Sequence, residues 1–264
     1  MKRLFIALFL GTLGICGVLS YYAYHYFAPP KQHKSFKMNN NQQTDTLRIA
    51  FIGDSWAFYH RKHTCLIAKY IENDLHIPVS VHSYGICGNT SKEIYQDMYD
   101  NNDFKSFLQK HPYKYCFVSA GINDTYRKLG TTYFKKSVEG IIQLLIDNHI
   151  RPIIMEIPDY NINLAYERQT LSRKVLRRFS MIINNCPLDC KQQFRDALDE
   201  LIKEKEYNNM VSVTHYKSWN ANGNKDLIDL YANDGMHLNE TGYTKLDSTI
   251  ANTIIQLSAN SGLY

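Results

Sequence analysis

The chain has 264 residues, 44% of them hydrophobic and 21% charged, which suits one medium-sized globular domain with an appendage. Its formal charge of +5 lies mostly at the front, where Lys2, Arg3, Lys31, Lys34 and Lys37 face only Asp45 before Leu47; the remainder is nearly neutral. That excludes a nucleic-acid-binding domain, which needs a concentrated basic face. Six cysteines without paired C-x-x-C spacing exclude a zinc ribbon.

In chain order, the first element is the uncharged run 4–27, which follows Lys2-Arg3. It exceeds the roughly 20 apolar residues that span a bilayer and closes on an aromatic cluster, Tyr21-Tyr22-Ala23-Tyr24-His25-Tyr26-Phe27. Residues 1–27 are therefore expected to form a transmembrane helix that acts as an uncleaved signal anchor. A cleaved signal peptide is the alternative, but no small-x-small site follows the apolar core. Ile15 is also a poor residue to precede a lipidated cysteine at Cys16. A short N-terminal apolar segment of this kind usually acts as an export signal, which puts the following domain outside the cytoplasm; Lys31, Lys34 and Lys37 argue the other way by the positive-inside rule. Residues 28–46, with Pro29-Pro30 and the tract Asn39-Asn40-Asn41-Gln42-Gln43, read as a flexible polar linker.

From Leu47 to the C-terminus, short apolar runs at 47–52, 79–83, 115–119, 153–157 and 211–214 alternate with amphipathic runs. The latter, at 56–75, 91–99, 132–149, 164–184, 188–206 and 240–258, are expected helices. Alternation of this kind implies βαβ crossovers, and hence a five-stranded parallel sheet covered by helices. Ligands of such sheets bind beyond the carboxyl ends of the strands.

Four loops at those positions carry chemistry. Gly53-Asp54-Ser55 ends the first strand run and places Ser55 at a helix N-terminus, where developing negative charge is favoured, although a serine there also serves as a plain cap. Gly85-Ile86-Cys87-Gly88-Asn89-Thr90 follows the second run; Gly88 can present a bare backbone N–H to an oxygen, or simply make a turn. Gly121-Ile122-Asn123-Asp124 follows the third, and the Asn123 amide can complete an oxyanion hole or form an Asx turn. Asp234-Gly235-Met236-His237-Leu238 precedes the last helix, with a carboxylate three residues before a histidine whose tautomer it can set. Together they supply nucleophile, base, orienting acid and oxyanion donors.

These blocks resemble those of the SGNH hydrolases, the group around the GDSL esterases, over the chain from about Leu47 onward. The resemblance implies a flavodoxin-like α/β/α sandwich and esterase activity with Ser55 as nucleophile, His237 as base and Asp234 as its orienting acid. It implies oxyanion donors in the N–H groups of Ser55 and Gly88 and the side chain of Asn123. Trp56 departs from the leucine common in the GDSL subset and is placed to shape the pocket. An α/β-hydrolase is excluded, because Ser55 is followed by Trp56-Ala57 and not by a nucleophile elbow. The expected reaction is hydrolysis of an oxygen ester through an acyl-serine, most simply of acetyl groups on carbohydrate. Acyl transfer to an envelope glycan, lipase-like hydrolysis and a binding module with a relict site are the alternatives.

Tyr160, Asn161 and Asn163, after the fourth run, are expected to line the pocket. No cofactor or metal is expected: His60 and His63 lack carboxylate partners in sequence and suit an exposed polar face. Cys87 and Cys116 lie in apolar runs as buried thiols, while Cys186 and Cys190 are spaced for a disulfide in an exported protein. Arg173, Lys174, Arg177 and Arg178 form a basic strip that suits a solvated helix surface, or one facing anionic lipid or polysaccharide.

Overall fold

The apolar runs rich in branched and aromatic residues become strands. In the computed structural model, which describes residues 2–38, 45–62 and 64–260 (residues 2–8, 15, 19, 22 and 260 by backbone alone), five strands form one parallel sheet among the described residues. They are β1 (Leu47–Gly53), β2 (Val79–Gly85), β3 (Tyr115–Ser119), β4 (Arg151–Met155) and β5 (Ser212–Thr214), in the order β2-β1-β3-β4-β5. Ile49, Ala50, Phe51 and Ile52 of β1 and Tyr115, Cys116, Phe117 and Val118 of β3 are all buried, the unbroken apolar pattern of a parallel sheet covered on both faces. The register pairs Gly53 with Gly85 on one side and with Ser119 on the other. Three neighbouring strands thus end level, and the loops after them start from one line.

The helices are α1 (Lys2–Phe27), α2 (Ser55–His60), α3 (Thr64–Leu75), α4 (Ser91–Asp100), α5 (Asn102–Lys110), α6 (Ile122–Arg127), α7 (Thr131–Asp147), α8 (Ile162–Glu167), α9 (Leu171–Ile183), α10 (Lys191–Glu204), α11 (Asn224–Asp229) and α12 (Glu240–Asn260). α3 packs on α12, and α7 packs on both α4 and α10, so helices flank the sheet as the alternation implies. The expected helix 56–75 is two helices, α2 and α3. Its apolar spacing continues in phase through Ala57, His60, Ile67, Ile71 and Leu75, so periodicity cannot show the break at Arg61-Lys62. The helix expected over 164–184 is likewise split into α8 and α9. α5 and α6, of nine and six residues, are too short for periodicity to reveal.

Three expectations about surface and tether change. His60 is wholly buried and hydrogen-bonded through Nε2 to Asp247 of α12, a partner 187 residues away and therefore invisible to local spacing; His63 lies outside the described residues. Cys87 is exposed, because it lies in the loop beyond β2 and not in its strand. Residues 28–38 are not a free tether but an extended strap laid across α4 and α7. Met38 N–H donates to Asn148 Oδ1 at 2.7 Å, Asn148 Nδ2 donates to Phe36 O at 2.8 Å, and the His33 ring stacks on Tyr99 at 4.7 Å. Residues 39–44 of the expected linker lie outside the described residues.

The structure does not supply the expected transmembrane span: no helix among the described residues is long and apolar enough to cross a membrane. α1 has 26 residues, about 39 Å of helix. Its last turn is tied to the domain, because Lys92 Nζ donates to the carbonyls of His25 at 3.0 Å and Ala28 at 2.8 Å.

Asn148 makes two of the hydrogen bonds that hold the strap. Asn148→Ala should strip partners from Met38 N–H and Phe36 C=O, cost roughly 1–3 kcal/mol, and open residues 28–38 to limited proteolysis. A thermal melt and mapping of the first cleavage site check both effects.

Candidate active site

Gly53 lies so close to β3 that an added Cβ would sit 2.1 Å from Ser119 O. Its bareness lets Asp54 N–H reach Ser119 O at 3.3 Å and turns the chain sharply into α2. Asp54 caps that helix, its Oδ1 accepting from Trp56 N–H at 3.0 Å and from Ser119 Oγ at 3.2 Å. Ser55 follows as the first residue of α2, only 6% exposed.

His237 arrives from the other end of the domain. Asp234 Oδ1 accepts from the N–H groups of Met236 and His237, each at 2.9 Å, and closes a tight turn. Its Oδ2 lies 2.5 Å from His237 Nδ1, and His237 Nε2 lies 2.9 Å from Ser55 Oγ. The carboxylate holds the proton on Nδ1 and leaves Nε2 to accept from the serine hydroxyl. Burial pushes the Asp234 carboxyl up, but the hydrogen bonds from His237 and Met236 outweigh it and hold the group below its ordinary value. The turn is pinned from outside by Asn161 N–H on Gly235 O at 2.8 Å, and Ala232 N–H donates to His237 O at 2.8 Å.

The oxyanion side is assembled on α6. Asn123 Nδ2 donates to Asn89 O at 2.9 Å and has a longer contact, 3.4 Å, to Asp54 Oδ2. Arg127, one turn further along α6, donates to Gly88 O at 2.7 Å and reaches Glu93 at 3.3 Å, while Asp124 takes the Ser91 N–H at 2.8 Å. Gly88 has φ +84°, a left-handed backbone that suits glycine. Among the described residues no protein acceptor takes the backbone N–H of Ser55 or of Gly88.

The structure thus brings Ser55, His237, Asp234, Gly88 and Asn123 to one place. It does not bring Trp56 or Tyr160 there. Trp56 is buried in the core, its ring edge-on to Trp219 at 5.9 Å, because α2 turns that face inward. Tyr160 is also wholly buried, with its hydroxyl 2.9 Å from Thr125 Oγ1. Asn161 spends its side chain capping α8, accepting from Leu164 N–H at 3.0 Å, and its backbone steadies the base turn; Asn163 is exposed on the same helix.

The sequence blocks do not mark the groups around His237. A cleft of about 530 Å³ beside His237 is lined by Tyr59, Lys62, Asn239, Glu240 and Tyr243 together with the base turn. The Tyr59 ring meets the His237 ring edge-on at 5.4 Å, and its phenol is pushed up in pKa chiefly by the neighbouring Cys87 thiol. A second cleft of about 440 Å³ reaches from Phe58 and Arg61 to Cys87. Tyr59 lies one helical turn beyond Ser55, the spacing that could have suggested it. Arg127 stands in the same relation to Asn123.

A family model for the GDSL-like lipase/acylhydrolase family matches residues 51–245, most of the chain and all of the blocks above. The chain belongs to this family. A GDSL-like acylhydrolase is a hydrolase that acts on esters, and the Ser55–His237 pair lies inside the matched region. No curated protein matches the chain. Among solved structures, a lipase/acylhydrolase from Enterococcus faecalis aligns with a TM-score of 0.54 at 14% identity, covering 80% of this chain and 96% of that one. An acetyl xylan esterase aligns at 0.56 and 16%, covering 79% of this chain and all of the other. An acetylxylan esterase from Geobacillus stearothermophilus aligns at 0.52 and 16%, covering 79% and 94%. At such identities the likeness is one of fold, and it places this GDSL-like hydrolase on the same layered sheet.

Two expected outcomes follow from the geometry. Asn123→Ala should lower kcat by roughly 10²–10³-fold with a small change in melting temperature, because its amide matters most when negative charge develops; steady-state kinetics and a thermal melt measure both. Burial raises the Asp54 carboxyl to about 7 against 3.8 for the free group, and raises Asp124 to about 6. The folded protein then holds the Asp54 proton more tightly than the unfolded chain does. Its contribution to stability is complete below about pH 4 and is lost as pH rises through about 7. Asp54→Asn, which cannot ionise, should flatten the fall in melting temperature between pH 4 and 8, leaving a shallower fall from Asp124.

Proposed function

We propose that this hydrolase removes short acyl groups, acetyl above all, from an O-acylated carbohydrate through an acyl-Ser55 intermediate. The single observation that carries the chemistry is the relay from Asp234 Oδ2 through His237 to Ser55 Oγ, at 2.5 and 2.9 Å. Ser55 Oγ attacks the ester carbonyl carbon as His237 Nε2 takes its proton. The tetrahedral oxyanion meets the N–H groups of Ser55 and Gly88 and the Asn123 amide. His237 then returns the proton to the departing sugar oxygen, and a water molecule repeats the sequence to release the acid. Asp234, ionised across the neutral range, stabilises the imidazolium formed in each half.

The cleft beside His237 sets Lys62, Asn239 and Glu240 next to the rings of Tyr59 and Tyr243, a mix of hydrogen-bonding groups and aromatic faces that supports a sugar substrate. Two of the solved structures that share the fold are acetyl xylan esterases. The same proposal keeps the domain on the outer face of a membrane, held by residues 4–27. What supports that placement is the uncharged sequence run; digestion of the domain by protease added to intact spheroplasts tests it, and protection until lysis would reverse it.

Ser55→Ala should lose fluorophosphonate labelling and several orders of magnitude in turnover while its melting temperature stays close to the parent's. Across acetyl, butyryl, octanoyl and palmitoyl esters, kcat/KM should fall with chain length, and acetate should appear from acetylated glycans. A rise toward palmitoyl without acetate release would assign the enzyme to lipid esters instead.

A further inference from the structure

α9 presents the wrong face to water. Leu171, Val175, Leu176, Phe179, Ile182 and Ile183 recur at helical spacing and are all exposed, Leu171 and Ile182 to 79% and 80%. A helix packed on a globular domain ordinarily turns such a stripe inward; here the side turned inward carries Arg177 and Ser180. No acidic residue occurs in α9, whereas Arg173, Lys174 and Arg178 accompany the apolar stripe outside.

The stripe adjoins the end of α1. Leu176 and Phe179 share a cavity of about 700 Å³ with Ser20, Ala23, Tyr26 and Phe27. Arg177 lies between the two helices, with Nη1 3.5 Å from the Tyr26 hydroxyl and its guanidinium 5.3 Å from the Tyr126 ring of α6. α1 itself exposes Phe9, Leu10, Leu13, Val18, Tyr21 and Tyr24. Two apolar surfaces therefore meet at one corner, bordered by cations.

We propose that the outward face of α9 is a membrane-contact surface that seats the domain on a bilayer bearing acidic headgroups. An amphipathic helix with a large apolar stripe and flanking Lys and Arg lies in the interface plane, its apolar side chains among the acyl chains and its cations at the phosphates. The strap 28–38 and Lys92 hold the end of α1 against the domain, so a bilayer reached by α1 is within reach of α9 as well. The surface goes beyond the esterase reading and needs no catalytic residue.

The test uses the full chain in phosphatidylcholine/phosphatidylglycerol vesicles, with Phe179→Trp as a reporter and Ile182→Trp as a second. Trp56 and Trp219 are buried and add a constant background. Bromine-labelled lipid should quench the new tryptophan several-fold more than aqueous iodide does, and Arg173→Glu with Arg178→Glu should reduce that difference in proportion to the phosphatidylglycerol content. Retained hydrolysis of a synthetic acetate ester shows that each variant is folded. Quenching by iodide and not by bromolipid overturns the proposal. So does shielding from both quenchers with cross-linked dimers, which would put a second copy on the stripe. An alkaline carbonate wash reports on α1 separately: a chain that resists the wash while residue 179 stays in water keeps the anchor and removes the α9 surface.

Discussion

At Gly53 an added Cβ would lie 2.1 Å from the Ser119 carbonyl oxygen, so β1 and β3 converge at their carboxyl ends only because position 53 carries no side chain. That contact buries Asp54 and starts α2 at Ser55. The level register of Gly53, Gly85 and Ser119 then sets the second and third loops on either side of it. A side chain at position 53 would push the strands apart at the line from which the loops of Ser55, Gly88 and Asn123 start.

Around that junction the site is held by buried polar groups more than by apolar packing. Asp54, Asp124 and Asn123 each spend their side-chain atoms on neighbouring loops, and Arg127 fixes the Gly88 carbonyl, which orients the peptide next to it. Partners of this kind set direction as well as distance, the property an oxyanion hole requires. Their burial has a cost, visible in the raised carboxyls of Asp54 and Asp124. The base turn is held differently, by its own Asx-type bonds and by Asn161 from α8. The buried His60–Asp247 pair joins α2, which carries Ser55, to α12, which follows His237.

The N-terminal segment belongs to the same mechanical unit. Asn148, Tyr99 and Lys92 bind the strap and the last turn of α1 to helices α4 and α7, so the domain is carried close to that turn and not on a loose leash. The outward stripe of α9 borders the same end of α1, since Leu176 and Phe179 share a cavity with Tyr26 and Phe27.

Much of this is local and was therefore legible in the sequence. Alternating apolar runs determine a parallel sheet, because strands buried on both faces must be continuously hydrophobic. The blocks around Ser55, Gly88, Asn123, and Asp234 with His237 name their chemistry through residue type and position after a strand. The α2–α3 break escaped because the apolar spacing runs on in phase, α6 because it is too short, and the docked strap because its partners are distant in the chain. Trp56 and Tyr160 looked like pocket residues by position alone; only the packed structure shows α2 and the loop after β4 turning them inward. His60 looked exposed because its partner Asp247 is 187 residues away. The sequence by itself determined the fold class and singled out the groups that meet at the candidate site, because those follow from local pattern. Which side chains face the substrate, and that α9 turns its apolar side outward, was decided only by tertiary packing, because burial is a property of neighbours distant in the chain.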